Sequence, residues 1–238
     1  MIRIQNLTKI YGDLTALDTL NLEVKEGEIY CLLGANGAGK TTTINLLLGF
    51  IKPTSGNAFI NDIDVVAQPK LTKNYLAYIP ENLMLYPSLS AIENLDYFSG
   101  IANKNFKKDE LEAFLIEAGL QTTAFHKSVA KYSKGMRQKV GIAIALAKDA
   151  KVLLLDEPTS GLDPKASNEF GQLLQKLRQK GVATLMATHD LFRAKEVATT
   201  IGVMKDGQLK QQWAVEELSL KELEDSYLET MSYNSLKS

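Results

Sequence analysis

Eight residues constrain this chain more than any other feature: Gly34-Ala35-Asn36-Gly37-Ala38-Gly39-Lys40-Thr41, a G-x-x-x-x-G-K-[ST] pattern. Glycine makes up about 7% of an average protein, so the four fixed positions coincide by chance in roughly one chain in a hundred. The flanks remove most of that chance. Ile29–Leu33 reads as a buried strand, and Thr42 to Leu48 reads as a helix stopped at Gly49. A strand, a glycine loop and a helix in that order let the backbone curl around phosphates, with loop N–H groups and a helix N-terminus aimed at them. In that frame Gly34, Asn36, Gly37, Gly39 and Thr42 form the cradle, and Lys40 reaches the β- and γ-phosphates. The Thr41 hydroxyl is a ligand for Mg²⁺.

A second element answers the first. Val152-Leu153-Leu154-Leu155-Asp156-Glu157-Pro158 is an apolar strand ending in two carboxylates, which delivers charge to the carboxyl edge of a sheet, where α/β proteins bind ligands. Asp156 suits the Mg²⁺ shell, and Glu157 suits orienting or deprotonating an attacking water. Asp-Glu after a strand is by itself an ordinary polar strand end; its weight comes from standing in the same chain as Gly34–Thr41.

Short apolar runs alternate with helical patterns, which predicts an α/β fold with a mainly parallel sheet. The expected strands are Ile2–Ile4, Leu20–Val24, Ile29–Leu33, Ala58–Ile60, Tyr75–Ile79, Val152–Leu155, Ala183–Ala187 and Ile201–Lys205. Several short strands before about Asn61 suggest a small antiparallel layer beside the main sheet. From Pro80 to Ser133 the pattern is helical. Ser90 and Glu93 form a capping box opening Ala91 to Phe98, a second helix fits Lys108 to Ala118 with Gly119 as its stop, and a third fits Thr123 to Lys131. The expected division is an α/β core over 1–80 and 135–214, a helical insertion over 81–134, and a C-terminal helix and tail over 215–238. In that last part Val215 to Met231 is helical and Ser232 to Ser238 is a frayed polar tail.

Composition weighs against other classes and disfavours a nucleic-acid partner without excluding it. With Lys+Arg 27 against Asp+Glu 28 the net charge is −1, without the basic excess of a nucleic-acid binder. Cys31 is the one cysteine, so no disulfide forms within the chain, and it reads as a small buried strand residue. No apolar run approaches the ~20 residues of a membrane helix. The expectation is a soluble cytoplasmic protein whose membrane attachment comes from a partner.

Beyond these two elements the chain resembles the nucleotide-binding subunits of ABC transporters, from its first residues to about Leu228. Tyr11, in Lys9-Ile10-Tyr11-Gly12, stands where that family stacks an aromatic ring on adenine. Tyr132-Ser133-Lys134-Gly135-Met136-Arg137-Gln138, just before a helix expected over Gln138 to Lys148, occupies the place of the signature L-S-G-G-Q; Ser133 and Gly135 match it. Ser160-Gly161-Leu162-Asp163 matches the stretch after the second carboxylate, and His189 matches the switch histidine that contacts the γ-phosphate and the attacking water. The resemblance implies a P-loop NTPase core, Mg·ATP as ligand, and ATP hydrolysis coupled to transport. It also implies a head-to-tail dimer in which Ser133 and Gly135 clasp the nucleotide of a second ATPase subunit, and a separate membrane permease that holds the chain on the cytoplasmic face of the membrane.

Two departures stand out. Glu81 replaces the glutamine usual at the end of the strand leading into the helical insertion; it keeps an oxygen for Mg²⁺ or water but adds a charge and loses an amide donor. Lys134 and Met136 alter the signature. Both are similar to a branch serving exporters with a separate membrane chain, and the segments Tyr78 to Asn82, Tyr86-Pro87 and Tyr132 to Gln138 resemble the ATPase of nitrous oxide reductase maturation. The competing class is a soluble ABC ATPase without a membrane partner. Such relatives carry long coiled coils or two such domains, and neither fits between Gly49 and Tyr132 or in 238 residues.

Overall fold

The computed structural model describes residues 1–232. Two sheets stack through one apolar layer. The main sheet holds β3 (Ile29–Leu33), β6 (Leu76–Ile79), β7 (Val152–Asp156), β8 (Ala183–Thr188), β9 (Thr200–Lys205) and β10 (Gln208–Ala214), in the order β10-β9-β3-β8-β7-β6. All neighbours are parallel except the β9–β10 hairpin. The smaller antiparallel sheet runs β2-β1-β4-β5, with β1 (Ile2–Tyr11), β2 (Leu14–Val24), β4 (Ser55–Ile60) and β5 (Ile63–Asp64). The parallel strands are buried on both faces, which is why they read as unbroken apolar runs. On β3, Tyr30 and Leu32 point into the layer between the sheets, while Ile29, Cys31 and Leu33 face the helices.

Eight α-helices complete the described residues: α1 (Lys40–Leu47), α2 (Pro69–Thr72), α3 (Ala91–Ile101), α4 (Lys108–Glu117), α5 (Lys134–Ala147), α6 (Pro164–Gln179), α7 (Leu191–Val197) and α8 (Leu220–Ser232). The capping box at Ser90 and Glu93 is formed, the Ser90 backbone N–H donating to Glu93 Oε2 at 2.8 Å. The helix expected over Thr123 to Lys131 is absent; two single 3₁₀ turns, Thr122–Ala124 and Val129–Lys131, stand there instead. The backbone of this stretch pairs with the segment before and into α3, through Ile92 N–H to Phe125 O and Val129 N–H to Leu89 O, so its polar groups are satisfied without a helix.

Other boundaries differ in informative ways. The early strands are long rather than short, because β1 and β2 accommodate register shifts between Ile4 and Ile10, with Asn6 and Thr19 at positive φ. The C-terminal helix begins at Leu220, after a 3₁₀ turn over Val215–Glu217, and α5 begins four residues earlier than expected. Of the expected polar tail, residues 233–238 lie outside the described residues.

Candidate functional site

The phosphate loop connects β3 to α1 and is shaped by what its glycines touch. Gly39 sits at φ 107, where a side chain is strained, and a Cβ there would lie 2.7 Å from both Ala16 O and Met204 Cε. A Cβ on Gly34 would meet Met204 O at 2.5 Å. These positions are glycine because neighbouring backbone fills the space a side chain needs. Helix α1 has no side-chain cap and no acid in its first turn, so its N–H groups keep an undiluted positive potential toward the loop.

Lys40 is 6% exposed and donates to Gly34 O at 2.6 Å and Ala35 O at 3.1 Å. Burial lowers its pKa, opposed by the carboxylates of Glu157 and Asp156; its Nζ lies 4.0 Å from Glu157 Oε1. Thr41 Oγ1 donates to Asp156 Oδ1 at 3.4 Å. Burial pushes the Asp156 carboxyl up, partly offset by that hydroxyl and by Lys40 and reinforced by Glu157 and Glu81. A half-buried carboxylate whose charge is disfavoured beside a hydroxyl is a hard-oxygen pair suited to a divalent cation. No cluster of three or more His, Cys, Asp or Glu able to hold a metal occurs among the described residues.

Glu157 takes φ 45, a left-handed conformation unusual for a glutamate, held by its N–H to Ala187 O at 2.9 Å. Its Oε1 lies 2.9 Å from His189 Nδ1, and its Oε2 accepts from Thr188 Oγ1 at 3.2 Å. Glu81 accepts from Ser160 Oγ at 3.1 Å, which ties the end of β6 to the turn after β7.

Tyr11, Ala35, Asn36, Gly37, Gly39, Lys40, Thr41, Thr42, Glu81, Asp156 and Glu157 line one cleft of about 620 Å³, with Leu14 to Ala16, Ala38 and Asp206. Gly34 lies under the loop and His189 reaches the cleft through Glu157. Tyr11 stands at the β1–β2 turn, half-exposed, with Lys9 Nζ 4.7 Å from its ring centroid. Ser133 and Gly135 do not line this cleft. Ser133 caps α5, its Oγ accepting from Met136 N–H at 3.2 Å, and Gly135 packs near Ala166 on α6. The Asp206-Gly207 pair reads as a turn from sequence, and the β9–β10 turn stands there; what sequence reasoning missed is Asp206 in the cleft, because nothing local signals the turn's place against the phosphate loop.

Comparison with known proteins assigns the family and the fold. The family model described as ABC transporter matches residues 17–160. The bacitracin transport ATP-binding protein BcrA of Bacillus licheniformis is 37% identical over 230 residues, covering 96% of this chain and 74% of that one. The dimeric post-hydrolysis structure of the ATP-binding cassette MJ0796 bound to ADP and Pi superimposes with a TM-score of 0.80 at 29% identity, covering 90% of this chain and 99% of that one. The structure of cbiO1 from Clostridium perfringens, described as part of the ABC transporter complex cbiONQ, gives a TM-score of 0.82 at 26% identity over 99% of this chain and 95% of that one. The chain belongs to the ABC transporter family, as an ATP-binding subunit with the fold of an ABC ATPase cassette. Among the described residues no helix is long and apolar enough to cross a membrane.

Proposed function

We propose that this chain hydrolyses Mg·ATP between two copies of itself and uses the cycle to drive a separate membrane permease, in the direction of export. The observation that carries the reading is the joining of Lys40, Thr41, Asp156, Glu157 and His189 at one sheet edge, with Ser133 and Gly135 at a helix start outside that cleft. One chain holds both parts of a composite site but does not bring them together.

In this reading the loop N–H groups and Lys40 hold the β- and γ-phosphates, and Lys40 exchanges the Gly34 and Ala35 carbonyls for phosphate oxygens. Tyr11 stacks on adenine with the ring face that Lys9 leaves open. Thr41, Asp156 and Glu81 would hold Mg²⁺, which would supply charge neutralisation of the phosphates. Glu157 accepts a proton from the attacking water, and His189 orients Glu157 through Nδ1. The Ser133–Gly135 backbone of the second copy closes on the γ-phosphate. The cassette MJ0796, which is dimeric with ADP and Pi, supports the pairing, cbiO1's place in a transporter complex supports the permease, and BcrA's bacitracin transport supports transport of a compound the permease selects; the direction of export rests on the resemblance of Glu81 and the Tyr132 to Gln138 segment to the exporter branch.

The test is gel filtration and turnover of the purified chain with Mg·ATP. Turnover in the parent and an ATP-dependent dimer in Glu157→Gln are expected. A Glu157→Gln protein that hydrolyses at the parent rate would sink the assignment.

A further inference from the structure

The β9–β10 turn connects two parts of the molecule that the proposed chemistry leaves unlinked, the phosphate loop and the C-terminal helix. On its inner side the turn is wedged against the loop. Gly207 N–H donates to Ala38 O at 3.1 Å, Met204 supplies the backbone and methyl that fill the space beside Gly34 and Gly39, and Asp18 N–H of β2 donates to Gly207 O at 3.0 Å. Asp206 itself lines the nucleotide cleft. On its outer side Lys205 reaches the last turn of α8, donating to Thr230 O at 2.6 Å and Met231 O at 3.0 Å. Carbonyls at a helix C-terminus lack intrahelical partners and carry partial negative charge, so an ammonium there closes two open acceptors and complements the helix dipole. Thr230 Oγ1 donates to Ser226 O of its own helix at 2.8 Å and lies 3.1 Å from Gln211 Oε1, and Leu223 is fully buried beneath the helix.

We infer that Met204 and Lys205 are positioning residues for nucleotide binding, through which the docked helix α8 holds the phosphate loop in its binding shape. The inference rests on the reading that the cleft takes Mg·ATP. Met204 and Lys205 are adjacent on one strand, so whatever fixes the Lys205 side chain restrains the Met204 backbone that Gly34 and Gly39 pack against. Release of α8 frees Lys205 and loosens that support, and by linkage a nucleotide that stiffens the loop stabilises the docked helix by the same factor.

The experiment is hydrogen exchange of the full-length parent with and without Mg·ATP, beside nucleotide affinity for Lys205→Met, Lys205→Arg and Leu223→Asp. Mg·ATP is expected to slow exchange in α8 (Leu220–Ser232) as well as in residues 34–41. Lys205→Met and Leu223→Asp weaken nucleotide binding about fivefold, the lower end of ordinary coupling, and the loss falls on KM rather than on kcat. Lys205→Arg, which can still reach the carbonyls, restores affinity. Exchange in α8 that ignores Mg·ATP, or a variant whose α8 exchanges freely while its nucleotide affinity equals the parent's, overturns the inference and leaves the ATPase reading intact. A parent that does not bind Mg·ATP at all takes both down.

Discussion

The phosphate loop and the Ser133–Gly135 turn are both stretches of backbone at the start of a helix, and they differ in how complete their surroundings are. Around the loop everything converges: the loop glycines are pinned by Ala16 and Met204, Lys40 is buried, and Thr41, Asp156 and Glu157 close the same cleft. At the start of α5, Ser133 spends its hydroxyl on its own helix, the first turn carries no acid, and Lys134 and Arg137 add positive charge. Both ends favour an anion, but only the first has beside it the carboxylates proposed as catalytic. On the proposed reading, the difference separates the half of a composite site that gathers its groups within one fold from the half that a second copy would present to it.

The largest effect that can break this comparison lies at Glu157. Glu157→Gln keeps the hydrogen-bonding shape toward Thr188 and removes the base, so turnover falls about a thousandfold, within the range of general-base catalysis, while ATP binding persists. Steady-state hydrolysis beside equilibrium nucleotide binding reads both; a drop of less than tenfold would move the base elsewhere.

Next in size is a mixing experiment. Lys40→Ala removes two charge-assisted hydrogen bonds to phosphate, about 3 kcal/mol or roughly a hundredfold in affinity. Gly135→Asp sets a carboxylate against the phosphate of the other copy and should silence turnover with binding to the single chain unchanged. Mixed, the two inactive proteins form a heterodimer in which one composite site has an intact loop from one chain and an intact signature from the other. Recovery of hydrolysis on mixing is expected. Its absence would mean that Gly135 works within its own chain.

Part of this contrast was legible before any fold was known and part was not. The loop, the Asp156-Glu157 pair and His189 each follow a short apolar strand at fixed local spacing, and local spacing survives folding. What escaped was long-range. The Thr123 to Lys131 stretch has helical composition, yet its backbone pairs with residues 87–92, and tertiary hydrogen bonds outweigh propensity over so short a segment. Strand β10 was hidden by its polar sequence, since half of Gln208–Ala214 faces away from the core. The buttress of Met204 and Gly207 under the phosphate loop spans about 170 residues of chain and leaves no mark that periodicity can show.

Stability measurements sharpen the comparison at smaller energies. In Gly34→Ala the new Cβ would lie 2.5 Å from Met204 O, a backbone atom that cannot step aside, so the fold loses about 2 kcal/mol, in the range of core overpacking. Gly135→Ala meets Ala166 Cβ at 3.1 Å and Leu162 Cδ2 at 3.7 Å, both side-chain atoms, and gains helix propensity of about 1 kcal/mol, so its stability stays within about 1 kcal/mol of the parent. Its turnover nevertheless falls if the close backbone serves another chain's phosphate. Denaturant melts with matched turnover assays separate the two glycines. A stable and fully active Gly135→Ala would deny the signature its role.

The smallest effect concerns the departure at Glu81. Its charge is felt at Asp156, whose carboxyl it helps to push up, and its position is fixed by Ser160 Oγ. Three carboxylates at one mouth repel a bare triphosphate, and a divalent cation relieves that repulsion. Glu81→Gln keeps an acceptor for Ser160 and removes one charge, so it should tighten binding of metal-free ATP more than of Mg·ATP. At about 1 kcal/mol for a unit charge a few ångströms away in a solvated cleft, the ratio of the two affinities narrows roughly fivefold. Calorimetric titrations of the parent and Glu81→Gln with ATP, in excess Mg²⁺ and in EDTA, measure that ratio directly. An unchanged ratio would place Glu81 outside the phosphate and metal field, as a structural tie to Ser160. A widened one would mean that the carboxylate draws the cation in by a direct bond, which the amide oxygen makes less well.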